Sequence, residues 1–199
     1  MKAEDAAEMM DQDKQNDRFK QRAAVGIAIL AMLLAITGLG GANAGKEATN
    51  NNIYAANFYA FYQAKNIRQT EFNLAADAIE LAFLQDTNLS ADAKAALKAK
   101  ADAYRKTSAR YETEPETNEG KKELLVRAKE FEKKRDHALK QDPYFDYAEA
   151  LLQIAIVLIS VSIVATLPWL AVFGGLIGVM GSLLMINGYT LAVEIPFMA

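Results

Sequence analysis

Cysteine is absent from the 199-residue chain, which excludes disulfides, thiol nucleophiles and Cys-ligated metals. Histidine occurs once, at His137, in a Lys/Arg-rich stretch where a solvated side chain outweighs a ligand or a base. No phosphate-cradling glycine loop and no nucleophile elbow can be found. No catalytic set can be assembled from what remains, so the expectation is a non-enzymatic protein with no cofactor and no metal site. A net charge of −3 gives no footing for nucleic acid as a partner. The most informative absence is that of charge itself: residues 23–45 carry none, and neither do residues 150–193, although 24% of the chain is charged. Nearly all the charge lies in residues 1–22 and 46–149, the pattern of an integral membrane protein with a polar domain between spans.

The first apolar run, residues 23–42, has the ~20 residues a helix needs to cross a hydrocarbon core of about 30 Å. Ala42-Asn43-Ala44 resembles a signal-peptidase site, but the preceding tail is long for a signal peptide and holds six acids, so an uncleaved anchor is the better reading. The second apolar run is too long for one span, since 44 residues of helix extend ~65 Å. It must fold back, and Thr166-Leu167-Pro168-Trp169 is the place: proline disfavours helix at the residue before it, and tryptophan prefers the membrane interface. Asp142-Pro143 reads as an N-cap followed by proline at the first helical position, with Tyr144, Phe145, Tyr147 and Tyr189 as interfacial aromatics. The predicted organisation is an N-terminal tail (1–22), a first span (23–45), a polar domain (46–142), a second span (143–167), a third span (169–190) and a C-terminal tail (191–199). Lys14, Arg18, Lys20 and Arg22 crowd the first span. By the positive-inside rule they make the tail cytoplasmic and the polar domain extracytoplasmic.

Between the spans there is no strand signal, and proline and glycine are scarce. Helices are predicted over about 46–87, 91–113 and 121–141, with Ser90 capping the second and EPETNEG, residues 114–120, interrupting the chain before the third. In the first of these, Tyr54, Phe58, Phe61, Lys65, Arg68, Phe72, Ala75, Ile79 and Ala82 step by four and three alternately, the spacing of a coiled-coil seam. Ile67, Leu74, Ala78 and Leu81 are expected to widen that seam. A helix of about 40 residues extends ~60 Å, matched by the other two laid end to end. The fold class is therefore all-α: three transmembrane helices with a long antiparallel, coiled-coil-like helical stalk between spans one and two, its tip at Asp86 to Ser90. This places Phe72 near Tyr104, Lys65 and Arg68 near Tyr111 to Glu116, and Phe58, Phe61 and Tyr62 near Leu124, Leu125 and Ala128.

Two groups of residues invite a functional reading. The crowded segment Phe58, Phe61, Tyr62, Gln63, Lys65, Arg68 and Gln69 combines aromatic faces with two cations. Packing plus ion pairing against EPETNEG is the plainer account; a lipid head-group or ligand site is the sharper one. In the third span Gly174, Gly178, Gly181 and Ser182 make a small-residue face. It could pack within the protomer, pack between protomers, or line a pore. The acids Glu112, Glu114, Glu116 and Glu119 lack the glycine-turned loop of an EF-hand and read as solvated.

FYQAKNIRQTEFNLA, RYETEP, GKKELLVRAKEFE and YFDYAEALLQIAIVLISV together resemble the bacterial membrane protein family catalogued as domain of unknown function 4337. The resemblance runs from the first span to the third and leaves out the N-terminal tail and EIPFMA. It implies a small bacterial membrane protein and brings no catalytic residues with it. The function expected is a homo-oligomeric scaffold or membrane-organising assembly in the inner membrane. Its partners would be further copies of itself, membrane lipids or another membrane protein. An oligomeric channel lined by the Gly-rich span and a lipid- or ligand-binding accessory subunit are the alternatives.

Overall fold

The computed structural model describes residues 3–85 and 89–196, with side chains from Lys14 onward. Four helices make up most of it: α1 (Ala3–Gln85), α2 (Ala91–Glu112), α3 (Lys121–Ala165) and α4 (Pro168–Thr190). No strand occurs among the described residues. Stretches of α1, α3 and α4 are long and apolar enough to cross a membrane. The chain divides into one unit of Met1–Ala48 with Asp136–Ala199 and another of Thr49–Arg135.

Helix boundaries differ from the expected ones at two places. α1 has no break between the first apolar run and the polar segment that follows it. Asp142 does not cap a helix start, because Pro143 lies inside α3. Proline there removes a backbone donor and crowds the preceding turn. The helix continues because Tyr144 and Phe145, the next two residues, are both buried and are held by side-chain contacts. The expected tip at Asp86, Thr87 and Asn88 lies outside the described residues. Ser90 does cap α2: its hydroxyl accepts from the Ala93 N–H at 3.2 Å.

In the first unit small residues face inward and large ones face out. Thr37, Gly40 and Ala44 of α1, Ala148, Leu152 and Ala155 of α3, and Gly174, Gly178 and Gly181 of α4 are buried. Val25, Ile29, Met32, Val157, Val164, Phe173, Leu176 and Leu183 are exposed. That is the reverse of a water-soluble bundle and the arrangement expected where lipid is the solvent. α3 ends in a Schellman turn. Thr166 adopts a left-handed conformation (φ 53°), and the Leu167 N–H reaches back to the Ser162 carbonyl at 3.1 Å. Pro168 then opens α4, so the fold-back occurs where the sequence placed it.

In the second unit the partners of α1 run in the opposite chain direction. Asn52 meets Arg135, Tyr59 meets Glu132, Gln69 meets Ser108, and Asp77 and Glu80 meet Arg105. Phe72 and Tyr104 are neighbours as expected, with ring centroids 5.5 Å apart. The inward line of α1 is Ala55, Phe58, Tyr62, Lys65, Gln69, Phe72 and Ala76. It shares Phe58, Lys65 and Phe72 with the predicted seam but replaces Tyr54, Phe61, Arg68 and Ala75 by the residue after each. Small Ala55 and Ala76 let the helices approach, and Gln69 finds a backbone acceptor; a longer Arg68 would need its charge matched in the same place. Ile67, Leu74, Ala78 and Leu81 do not widen this seam. They are exposed, because a residue two positions from an inward one is turned about 200° around the helix.

Candidate functional site

The aromatic and cationic segment of α1 sits against the interruption between α2 and α3. The structure brings only part of it together. Lys65 is 5% exposed and its ammonium is shared by Glu114 at 3.5 Å and Glu119 at 3.7 Å. The rings of Phe61 and Tyr111 lie 5.3 and 5.5 Å from the same nitrogen, within cation–π range. Next to it Lys121 donates to Gln69 Oε1 at 2.7 Å, pairs with Glu112 at 3.3 Å and covers the Tyr62 ring. Gln69 uses its amide nitrogen on the Ser108 carbonyl and on Glu112, so one glutamine joins all three helices. The bonds from Gln69 and Lys121 hold the Glu112 carboxyl below the usual carboxylate range.

Phe58 stacks on Phe131 with centroids 5.5 Å apart, and the Arg127 guanidinium covers it at 4.3 Å. These contacts fall one turn or less from the expected Leu124, Leu125 and Ala128. Gln63 is exposed. Arg68 is exposed and forms no ion pair or hydrogen bond with the described residues. The two cations thus part company: Lys65 is neutralised inside the chain, while Arg68 faces out. An incoming anion would have to displace two carboxylates to reach Lys65.

The interruption is itself tightly built. Glu123, in the first turn of α3, accepts from the Thr113 hydroxyl at 2.6 Å and from the Glu114 N–H at 3.2 Å. The Thr113 bond is the main reason its carboxyl sits below the usual range. Gly120 is required for this closeness, since a Cβ there would lie 2.4 Å from the Glu114 nitrogen and 2.6 Å from Thr113 Cα. Three of the four acids in the run, Glu112, Glu114 and Glu119, are paired with lysine or arginine. Among the described residues no group of three His, Asp or Glu could hold a metal ion. His137 is exposed.

The small-residue face of α4 packs within its own unit. A Cβ on Gly174 would meet Ile159 at 2.9 Å and the Ala155 carbonyl at 3.1 Å; one on Gly181 would meet Leu152 at 3.0 Å and the Ala148 carbonyl at 3.1 Å. A Cβ on Gly178 would lie 2.7 Å from the Leu30 side chain of α1. The Ser182 hydroxyl donates to the Gly178 carbonyl one turn back. Gly174, Gly178 and Gly181 are thus each filled by side chains of the same chain.

Sequence reasoning missed a second built feature in the first unit. Phe145, 2% exposed, fits between Gly40 and Gly41 of α1 and Gly188 of α4. Tyr189 meets it edge-on at 4.8 Å and donates to the Ile36 carbonyl at 3.1 Å. Nearby, the Asn187 amide holds Val193 through both its N–H and its carbonyl, at 2.9 and 2.8 Å. Tyr144 donates to the same Val193 carbonyl and accepts from the Ile195 N–H. The segment after α4 is therefore fastened to α3. The Gly38–Gly41 cluster opposite a Phe-Asp-Tyr segment was the available signal.

No curated protein and no solved structure matches this chain. The model of the family described as Domain of unknown function (DUF4337) matches residues 19–191, and the chain belongs to that family.

Proposed function

We propose that this is a non-enzymatic multi-pass membrane protein that self-associates into a homo-oligomeric scaffold. The observation that carries the reading is the set of large apolar side chains left uncovered on a part of α1 that is too polar to lie in lipid. Ile53, Ile67, Leu74 and Leu81 are each more than half exposed, amid Asn52, Asn57, Asn66 and Glu71. A face of this kind marks an interaction site. The internally satisfied Lys65 and Lys121 networks supply packing rather than chemistry. Lys14, Arg18, Lys20 and Arg22 favour an N-terminus in the cytoplasm of a bacterial cell, with residues 49–135 on the far side of its inner membrane. The channel alternative loses support, because the glycines that would line a pore are filled by Ile159, Leu152 and Leu30 of the same chain.

The lipid-binding alternative rests on a different place from the one the sequence suggested. An open cavity of about 330 Å³ lies among Phe19, Arg22, Gly26, Ile159, Pro168 and Val172, apolar except for one guanidinium. Anionic lipid retained by the wild type and lost from Arg22→Ala would favour it.

Native mass spectrometry of gently extracted full-length protein, purified through a C-terminal tag, tests the main reading. A single homo-oligomer is expected. A monomer, or a stoichiometric complex with a different protein, would overturn it.

A further inference from the structure

α1 and α4 pack closely at Gly178, where a Cβ would lie 2.7 Å from Leu30, and then part. One turn nearer the start of α1, a Cβ on Gly26 would meet nothing within 4 Å. Ala23 and Gly26 of α1 and Ala171 of α4 are too small to close the gap. The open cavity of about 330 Å³ results, with Ile159 of α3 in its wall. That is the low end of the size of a ligand pocket, about 300 Å³, which suits one acyl chain rather than a whole lipid.

The cavity is ordered along the membrane normal. Arg22, in its wall, is the last charged residue before the uncharged run 23–45. Pro168, also in its wall, opens α4 beside Trp169, which is 64% exposed and of the type that favours the membrane interface. This end therefore lies at the level of lipid head groups, and the apolar wall at Gly26 and Ile159 lies at the level of hydrocarbon. A phospholipid has its charge and its chains in the same order.

Charge selects among occupants. Arg22 has no ion-pair or hydrogen-bond partner among the described residues. Asp17, the acid nearest in sequence, is five residues away and turned about 140° around the helix. Arg18, one turn further out on the same side, also lacks a partner among the described residues. A guanidinium pairs with phosphate through two parallel hydrogen bonds. A zwitterionic lipid brings its own ammonium to such a site, whereas two unmatched arginines favour a head group of net negative charge. A parallel second copy would bring its own Arg22 to the same height, like against like.

We infer that this groove holds one anionic phospholipid of the leaflet on the N-terminal side, its phosphate on Arg22 with Arg18 beside it and one acyl chain along Gly26, Ile159 and Val172. This rests on the lipid-binding alternative and adds to it a head-group class, an orientation and a chain site.

Full-length protein, stripped of lipid in detergent, is returned to phosphatidylglycerol or phosphatidylcholine, and bound lipid is counted by native mass spectrometry. The wild type should retain phosphatidylglycerol in preference. Arg22→Gln should lower that retention about fivefold, the effect of one cation on an anionic surface, and Lys46→Gln, at the other end of the apolar run, should not. Gly26→Leu, which has room for its side chain, should leave the melting temperature unchanged and lower retention of both lipids by filling the chain site. Equal retention of the two lipids by the wild type removes the lipid-binding alternative and this site together. A preference that survives both Arg22→Gln and Gly26→Leu leaves lipid binding standing and overturns this site. Equal losses from Arg22→Gln and Lys46→Gln would reduce the effect to general surface charge and overturn it too. Loss of a homo-oligomer from Gly26→Leu, with lipid retained, would assign the groove to a second copy instead.

Discussion

The two units solve the same packing problem with opposite materials. In the membrane-type unit helices meet through glycine, alanine and one enclosed phenylalanine, and large side chains are turned outward. In the polar unit helices meet through stacked rings and through lysines held between carboxylates. The difference follows from the solvent. Lipid is as apolar as leucine, so burying a large side chain from it gains little. Association then depends on close backbone approach, which only small residues allow. In water the same burial is worth about 25 cal/mol per Å², so bulky aromatics are best spent inside. Lys65 can be buried in the polar unit only because two acids and two rings surround it; an unmatched charge there would titrate or remain in water.

The largest expected effect would break this comparison if it failed to appear. Gly40→Leu places a side chain where a Cβ would already lie 2.6 Å from Phe145 and 2.8 Å from the Tyr189 hydroxyl. Overpacking of this kind costs about 3 kcal/mol or more where backbone must move. Thermal unfolding in detergent should show a marked loss. Gly175→Leu, in the apolar stretch of α4 but with nothing within 4 Å, should change it little. Equal losses would mean that close approach is not what the glycines provide.

Lys65→Met tests the polar unit by removing the cation and keeping the stem. Glu114 is largely covered and Glu119 half exposed, so the loss should be about 1–2 kcal/mol rather than the full value of a deeply buried pair. Chemical denaturation followed by circular dichroism would measure it, and an unchanged or higher midpoint would show the ion pairs to be dispensable. Arg68→Met, on the opposite count, should leave the stability of the isolated chain unchanged.

Acid should separate the units further. Glu112 and Glu123 are held below their unfolded values by hydrogen bonds from Gln69 and Lys121 and from Thr113. Each therefore contributes stability that is present above the unfolded carboxylate range, near pH 4.3, and is lost as pH falls through the lower folded value. Hydrogen exchange around residues 112–124 should accelerate below about pH 4 before exchange in the apolar stretches of α3 and α4 changes. Simultaneous loss in both would contradict the local account. The smallest effect is expected at the fold-back. Thr166 is a β-branched residue in a left-handed conformation, so Thr166→Gly should raise the melting temperature by the equivalent of about 1 kcal/mol.

How much of this was legible in the sequence depends on the kind of signal. Three apolar runs, a fold-back at Leu167-Pro168 and a cap at Ser90 each follow from local chemistry, and each lies where it was expected. Asp142-Pro143 was an equally good local signal for a helix start, and the burial of Tyr144 and Phe145 overrode it. The candidate site was half legible. Composition pointed to Lys65 and Arg68 as a pair, whereas three residues of helical turn separate one from the other by enough to bury the first and expose the second.

The sequence by itself determined that the chain is helical, that three stretches suit a membrane, and where the polar helices are interrupted. Those outcomes rest on hydropathy, capping and backbone preference, which act within a few residues. Only the tertiary structure decided which face of α1 turns inward, that Gly174, Gly178 and Gly181 are filled by side chains of their own chain, and that Phe145 is enclosed by Gly40, Gly41 and Gly188. Each of those depends on which surfaces meet across tens or hundreds of residues, and on whether a Cβ fits between them. A stripe read along one helix cannot say what lies opposite it.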